Sequence, residues 1–292
     1  MNGNYLFVGI NTITTIIYEM GTLQSYAMST ANALNANVYG NSTTTIVLAH
    51  GFGLDQCVWR FLVPYLALYF KVVVFDLAFS PTVKPGFYNT KRHSSFQGYA
   101  TDLINLLDEL HQSKVVYIGH SLSGMVGALA SIKRPDLFQH IIMLNSSPRY
   151  KNSKGYVGGF EREQLEQVIL GMEKDFEGWV KGFAPMVAGA RNTMAVEEFS
   201  KSLGEMNNEI AVRTAKMIFY SDLRNMLPLV KIPSTILQSE IDPVVPIEVP
   251  FYIAKKVSAP AIVQVLKNEG HFPMLTDHIL MLNALQSVRV IK

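Results

Sequence analysis

The stretch Val115-Val116-Tyr117-Ile118-Gly119-His120-Ser121-Leu122-Ser123-Gly124 constrains this chain more than any other. Val115 to Ile118 is short, apolar and largely β-branched, the pattern of a buried strand. From Leu122 to about Lys133 the residues read as an apolar helix. A serine flanked by small residues, on a sharp turn from strand into helix, is the pattern of a nucleophile elbow. The turn is so tight that a side chain two positions to either side of the serine meets the backbone. Gly119 satisfies that demand in full, while Ser123 stands where a second glycine is usual. The competing reading is a serine that caps the following helix.

A nucleophilic serine needs a base, and the base needs an acid that orients it. On this kind of scaffold they follow in the order serine, acid, histidine. Thr235 to Gln238 reads as a strand, followed by the loop Ser239-Glu240-Ile241-Asp242-Pro243. Ala261 to Leu266 reads as another, followed by Asn268-Glu269-Gly270-His271-Phe272-Pro273. Asp242 and His271 thus fall just beyond the carboxyl ends of strands, as Ser121 does, and that edge of an open α/β sheet is where sites form. The expected triad is Ser121, Asp242 and His271. Ile46 to Ala49 is a further strand, running into His50-Gly51-Phe52-Gly53. The backbone N–H groups of Phe52 and of Leu122 are the expected oxyanion hole. A plain turn after a strand is the competing reading of His50-Gly51.

Strands are expected at 45–49, 71–75, 115–118, 141–144, 235–238 and 261–266, with helices between them. Leu103, Leu106, Leu107 and Leu110 mark a helix over Gly98 to Gln112 by their spacing. Such alternation means a parallel sheet covered on both faces. It breaks after Pro148: from Arg149 to about Asp222 only helical patterns appear, at Glu161–Glu173, Asp175–Gly182, Met194–Met206 and Asn208–Tyr220. An insertion on the site side of the sheet is a natural lid that excludes water. Its Phe, Trp and Met content points to a largely apolar ligand. The chain of 292 residues is read as one domain, 33–292, carrying this insertion at 149–222, behind an N-terminal extension, 1–32, expected to be disordered.

Composition removes several classes of function. The net charge of +2 with mixed signs gives no electrostatic reason for a nucleic acid or membrane partner. Tyr5 to Tyr18 is uncharged but too short to span a bilayer. No basic region precedes it as a secretory signal would require. The single cysteine, Cys57, excludes an intrachain disulfide and fits a reducing compartment. No metal-ligand cluster and no G-x-G-x-x-G fingerprint are present, so no cofactor is expected. Asn41-Ser42-Thr43 and Asn145-Ser146-Ser147 match the glycosylation triplet, the second at the end of a core strand, and both are read as chance.

From about residue 33 to the C-terminus the chain resembles the plant strigolactone and karrikin receptor family of α/β-hydrolases. The likeness rests on Ala33-Leu34-Asn35-Ala36, His50-Gly51-Phe52-Gly53 with Asp55-Gln56 and Trp59, and Gly119-His120-Ser121-Leu122-Ser123. It continues through Ser147-Pro148-Arg149-Tyr150, Gly158-Gly159-Phe160-Glu161, Trp179 to Pro185, and Glu198-Phe199-Ser200. Asp242-Pro243 to Val245-Pro246 and Glu269-Gly270-His271 complete it. The Ser-Leu-Ser-Gly-Met form of the elbow is most similar to the third, less-studied plant branch. The resemblance implies an α/β-hydrolase fold, a mostly parallel sheet with helices on both faces and an all-helical lid. It implies a slow hydrolase of butenolide ligands that serves as a hormone receptor. Its implied partners are an F-box leucine-rich-repeat protein and a repressor, met in the cytoplasm and nucleus. It places Phe52, Tyr150, Trp179, Phe183 and Phe199 at ligand-pocket positions. Two departures concern the ligand: Tyr150 stands where strigolactone receptors usually have Phe, and the loop Asp76 to Val83 lacks the usual small-residue pattern. An ordinary esterase or lactonase on small apolar esters is the alternative function.

Overall fold

The computed structural model describes residues 28–189 and 191–288. Its strands are β1 (Asn37–Tyr39), β2 (Thr45–Ala49), β3 (Lys71–Phe75), β4 (Val115–His120), β5 (Phe138–Leu144), β6 (Ser234–Ile241) and β7 (Ala261–Glu269). The α-helices of the first half are α1 (Thr30–Ala33), α2 (Val63–Leu66), α3 (Phe96–Glu109) and α4 (Leu122–Lys133). Four more stand between β5 and β6: α5 (Arg162–Lys174), α6 (Phe176–Ala188), α7 (Thr193–Gly204) and α8 (Asn208–Tyr220). The last are α9 (Glu248–Lys256), α10 (Pro273–Thr276) and α11 (His278–Ser287).

The sheet runs β1-β3-β2-β4-β5-β6-β7, parallel except for β1, which pairs antiparallel with β3. β2, β4 and all but the first residue of β3 are buried, as apolar runs covered on both faces must be. The chain leaves β2 to one side for β3, then returns to the other side for β4. The loops after β2 and β4 therefore lie next to each other at the carboxyl edge, with Ala49 paired to Gly119. That reversal of strand order opens the crevice in which ligands bind.

The expectation for 1–32 falls mostly outside the described residues. Where they begin, the chain is already held before residue 33: the Glu109 carboxylate at the end of α3 accepts the Thr30 N–H at 2.7 Å and caps α1. The helices of the insertion start at side-chain caps. Asp175 accepts the Gly178 N–H, Asn192 that of Ala195 and Asn207 that of Ile210, each satisfying an orphan donor of the first turn. Glu161 and Gln164 form a reciprocal capping box at α5.

The two stems of the insertion are tied together. Leu223 N–H donates to Pro148 O at 2.8 Å, and Arg149 and Arg224 share the Asp222 carboxylate. Hydrogen bonds from Arg224 first, and then from Arg149, pull the Asp222 pKa down to about 2. A depressed folded pKa adds stability above the unfolded value, near 3.9, and that stability is lost as pH falls toward 2. Asp222→Asn should therefore flatten the decline of melting temperature between about pH 4 and pH 2. Thermal unfolding across that range measures it; a slope equal to the parent's rejects the clamp.

Candidate active site

β4 ends at His120 and α4 begins at Leu122, so Ser121 alone makes the turn. Its backbone sits at φ +56°, ψ −122°, which costs a non-glycine residue about 1–3 kcal/mol. Strain of that kind persists only where the surroundings impose it. Here α4 lies very close to the strands. A Cβ on Gly119 would come within 2.5 Å of the Ser123 carbonyl carbon and oxygen and 2.6 Å of Gly124 N. Those atoms are backbone and cannot step aside. Gly119→Ala should therefore cost several kcal/mol and much of the soluble yield, read by thermal unfolding; a melting temperature equal to the parent's would remove the steric argument.

Ser123 uses its departure from glycine. Its hydroxyl donates to His50 O at 2.5 Å, and its carbonyl accepts the Tyr117 hydroxyl at 2.9 Å. The residue ties the loop after β2 to α4. The loop approaches so closely that a Cβ on Gly51 would lie 2.6 Å from His120 Nδ1 and 3.1 Å from Ser121 Cβ. His50 is wholly buried; its Nδ1–H donates to Gly51 O, and its Nε2 accepts the Leu77 N–H, both at 2.9 Å. This fixes one neutral tautomer, and burial lowers its pKa. The approach of Nε2 to Asp76 at 3.8 Å is accordingly not an ion pair. Asp76 instead accepts from Gln56 N and Nε2, Asn35 Nδ2 and Thr82 Oγ1 at 2.6–3.0 Å. This carboxylate holds the far side of the same loop.

His271 and Asp242 meet as expected, with His271 Nδ1–H donating to Asp242 Oδ2 at 2.7 Å. The Asp242 side chain is wholly buried and His271 nearly so. Asp242 Oδ1 accepts the N–H groups of Val244 at 2.8 Å and Val245 at 3.2 Å, and Gln238 Nε2 reaches Oδ2 at 3.4 Å. His271 N–H donates to Val187 O in α6 at 3.0 Å. His271 is therefore bound to the helical insertion through its own backbone. His120 donates from Nε2 to His271 O at 2.9 Å, and burial, then the neighbouring His271, keeps its pKa well below the usual histidine value.

Ser121 and His271 share the wall of one cavity of about 30 Å³. Among the described residues no hydrogen bond joins them directly; Ser121 Oγ instead lies 3.5 Å from the Tyr150 hydroxyl. Catalytic hydrogen bonds are often long before substrate draws them together. Phe52, Tyr150, Phe183 and Phe199 line the cavity, as expected. Leu122, the first residue of α4, has an N–H with no intrahelical acceptor, beside Ser121. Trp179 does not line it. It stacks behind Phe183, with ring centroids 4.4 Å apart, one layer further from the serine. Val187, Ile218, Phe219, Val244 and Phe272 complete the apolar wall and were not singled out in the sequence. Phe219 belongs to the Phe, Trp and Met content of the insertion that pointed to an apolar ligand, and Phe272 follows His271 directly after a strand; Val187, Ile218 and Val244 carried no local signal.

An α/β hydrolase family model matches residues 46–281. The chain is 43% identical to "Karrikin insensitive 2 receptor CA" of Petunia hybrida over 246 residues, which is 84% of this chain and 91% of that protein. It is 40% identical to "Strigolactone esterase D14" of Arabidopsis thaliana over 244 residues, again 84% and 91%. A solved structure of a hydrolase from Oleispira antarctica superposes with a TM-score of 0.84 at 36% identity, covering 88% of this chain and 96% of that one. With this elbow, this sheet and these relatives, the chain belongs to the α/β hydrolase family, within the group that holds the karrikin and strigolactone receptors.

Proposed function

We propose that this protein is a slow serine hydrolase that binds a butenolide ligand and acts as a hormone receptor. The observation that carries the reading is one small apolar cavity, under a helical insertion, whose wall holds Ser121 and an Asp242-oriented His271. Relatives named as karrikin receptors and strigolactone esterases supply the ligand class.

In this mechanism His271 Nε2 takes the proton of Ser121 as Oγ attacks the ligand's carbonyl carbon. Asp242 holds Nδ1–H, which keeps Nε2 free to accept, and stabilises the imidazolium that forms. The N–H groups of Phe52 and Leu122 bind the tetrahedral oxyanion, each donor contributing on the order of 3 kcal/mol. The tetrahedral intermediate collapses by breaking the lactone ring C–O bond. The freed oxygen becomes an aldehyde carbonyl as the enol-ether C–O bond breaks, and His271 returns the proton to the departing enol oxygen. Water slowly hydrolyses the acyl-serine that remains. Phe52, Tyr150, Phe183 and Phe199 are the ligand-contacting side chains, and Trp179 supports Phe183 from behind. The helices α5 to α8 act as a lid. Its outer surface is the place for an F-box leucine-rich-repeat protein and a repressor to dock, in the cytoplasm or nucleus. Among the described residues no helix is long and apolar enough to cross a membrane.

A time course with a fluorogenic butenolide enol ether, followed by intact mass, tests the reading. The expected result is a burst near one equivalent, a slow phase, and added mass that is lost in Ser121→Ala. Steady turnover without an adduct identifies a plain esterase instead.

A further inference from the structure

We propose that Asn145 is a positioning residue for the base: its side-chain amide fixes the His271 carbonyl, and through it the imidazole. The inference rests on the triad reading above. Asn145 follows the last residue of β5 and is fully buried. Its N–H donates to Leu237 O at 2.9 Å, which sets it against β6. Its side chain then spans three chain segments. Oδ1 accepts the Ser239 N–H at 2.8 Å, while Nδ2 donates to Ser239 Oγ at 2.9 Å and to His271 O at 3.1 Å. The orientation of the amide is fixed by its partners, because a backbone N–H can only donate and a carbonyl only accept.

His271 needs such a hold. β7 ends at Glu269, and Gly270 turns the chain at φ +100°. Two residues past the sheet, the base has no strand ladder to locate it. Its carbonyl receives the His120 Nε2–H and the Asn145 Nδ2–H, donors based at the ends of β4 and β5. The core thus holds the base from one side and the Val187 carbonyl of α6 from the other. Position 145 also demands an unusual residue. Its φ of +46° is left-handed, which asparagine tolerates better than most side chains. It must also present one acceptor and two donor hydrogens at short reach, which serine, aspartate and alanine lack. A glycan at this triplet is excluded by the burial of Asn145.

The test uses the full-length protein and a probe that needs no natural ligand. A fluorophosphonate reacts as Ser121 Oγ bonds to phosphorus, fluoride leaves, and the hydroxyl proton passes to His271. Labelling is followed by intact mass, with kcat and KM for p-nitrophenyl acetate measured alongside. Asn145→Gly keeps the left-handed backbone and removes the amide. Asn145→Asp, isosteric and still able to accept from Ser239 N–H, sets a carboxylate oxygen against His271 O in place of the donating amide, and serves if the glycine variant does not fold. Both should label about tenfold or more slowly, with kcat falling in step and KM within about twofold, since small misplacements of reacting groups carry costs of this size. Ser239→Ala removes one hydrogen bond of the same cluster but leaves the contact to His271, and should label at the parent rate. In a His271→Ala background, Asn145→Gly should slow the residual labelling no further. Parent-like labelling by the Asn145 variants, or an equal loss without His271, overturns the proposal. If His271→Ala itself labels at the parent rate, the triad reading falls and this one with it. A slow His271→Ala beside a fast Asn145→Gly removes this inference alone.

Discussion

Replacing Ser121 with alanine is expected to lower kcat for p-nitrophenyl acetate by about 10⁴-fold or more, toward the uncatalysed rate. The expectation follows from what the hydroxyl does. Among the described residues no other aliphatic hydroxyl and no thiol lines the cavity, whose remaining wall is apolar or aromatic apart from His120, Tyr150 and His271. His120 Nε2–H is already committed to His271 O, and burial pushes the Tyr150 phenol well above its usual pKa, so neither replaces a serine alkoxide. The fold should be untouched. Among the described residues Ser121 Oγ has one hydrogen-bond partner, the Tyr150 hydroxyl at 3.5 Å, and alanine occupies the same strained turn at similar cost. Parallel kinetics and thermal melts check both halves; a variant that keeps its rate, or one that fails to fold, removes Ser121 from the role assigned to it.

The second large effect is expected from Asp242→Asn, about 10⁴-fold in kcat with little change in stability. Its direction comes from the hydrogen bonds around the carboxylate. Oδ1 faces two backbone donors, Val244 N–H and Val245 N–H. An asparagine must therefore turn its carbonyl oxygen to that side. Its NH2 then lies where Oδ2 stood, against His271 Nδ1 and Gln238 Nε2. Two donors cannot share that line, so the imidazole is driven to carry its proton on Nε2. In that tautomer the base cannot accept from Ser121. A pH–rate profile beside kcat tests this: the loss should persist at every pH, because it is one of tautomer rather than of ionisation. Recovery of the parent rate at alkaline pH would count against it.

The elbow and the strands around it were legible because their signals are local and redundant. Val115 to Ile118, Ile46 to Ala49 and Val72 to Phe75 are buried on both faces, and β-branched runs of that kind have few other uses. β1 was not legible. Its residues Asn37, Val38 and Tyr39 make only three pairs at a half-exposed edge, with no periodicity long enough to read. The depth of Trp179 was also beyond the sequence. Trp179 and Phe183 stand one helical turn apart on the same face of α6, and spacing gives the face but not which ring reaches the serine. α6 itself runs on through Pro185 to Ala188, further than the expected stop at Gly182. The glycosylation triplet at Asn145 was read as chance, and the side chain is buried; its hydrogen bond to His271 O joins residues 126 apart in the chain, which no local signal reports.

The cavity beside Ser121 has a consequence for communication. At about 30 Å³ it is the size of a single water, whereas pockets for drug-sized ligands run to about 300–1,000 Å³. A ligand of several rings requires the cavity wall to yield, by rotation of Phe183, Val187, Phe199 and Phe219 or by movement of the helices that carry them; where the helices move, ligand and partner are coupled. Occupancy and the outer contour of those helices are then two readings of one equilibrium. Thermodynamic reciprocity makes that exchange symmetrical. A protein that prefers the displaced contour must tighten ligand binding by the same factor by which the ligand tightens it. The Val187 carbonyl carries such an exchange to the triad, since α6, one of the helices lining the cavity, is the one that holds His271 N–H.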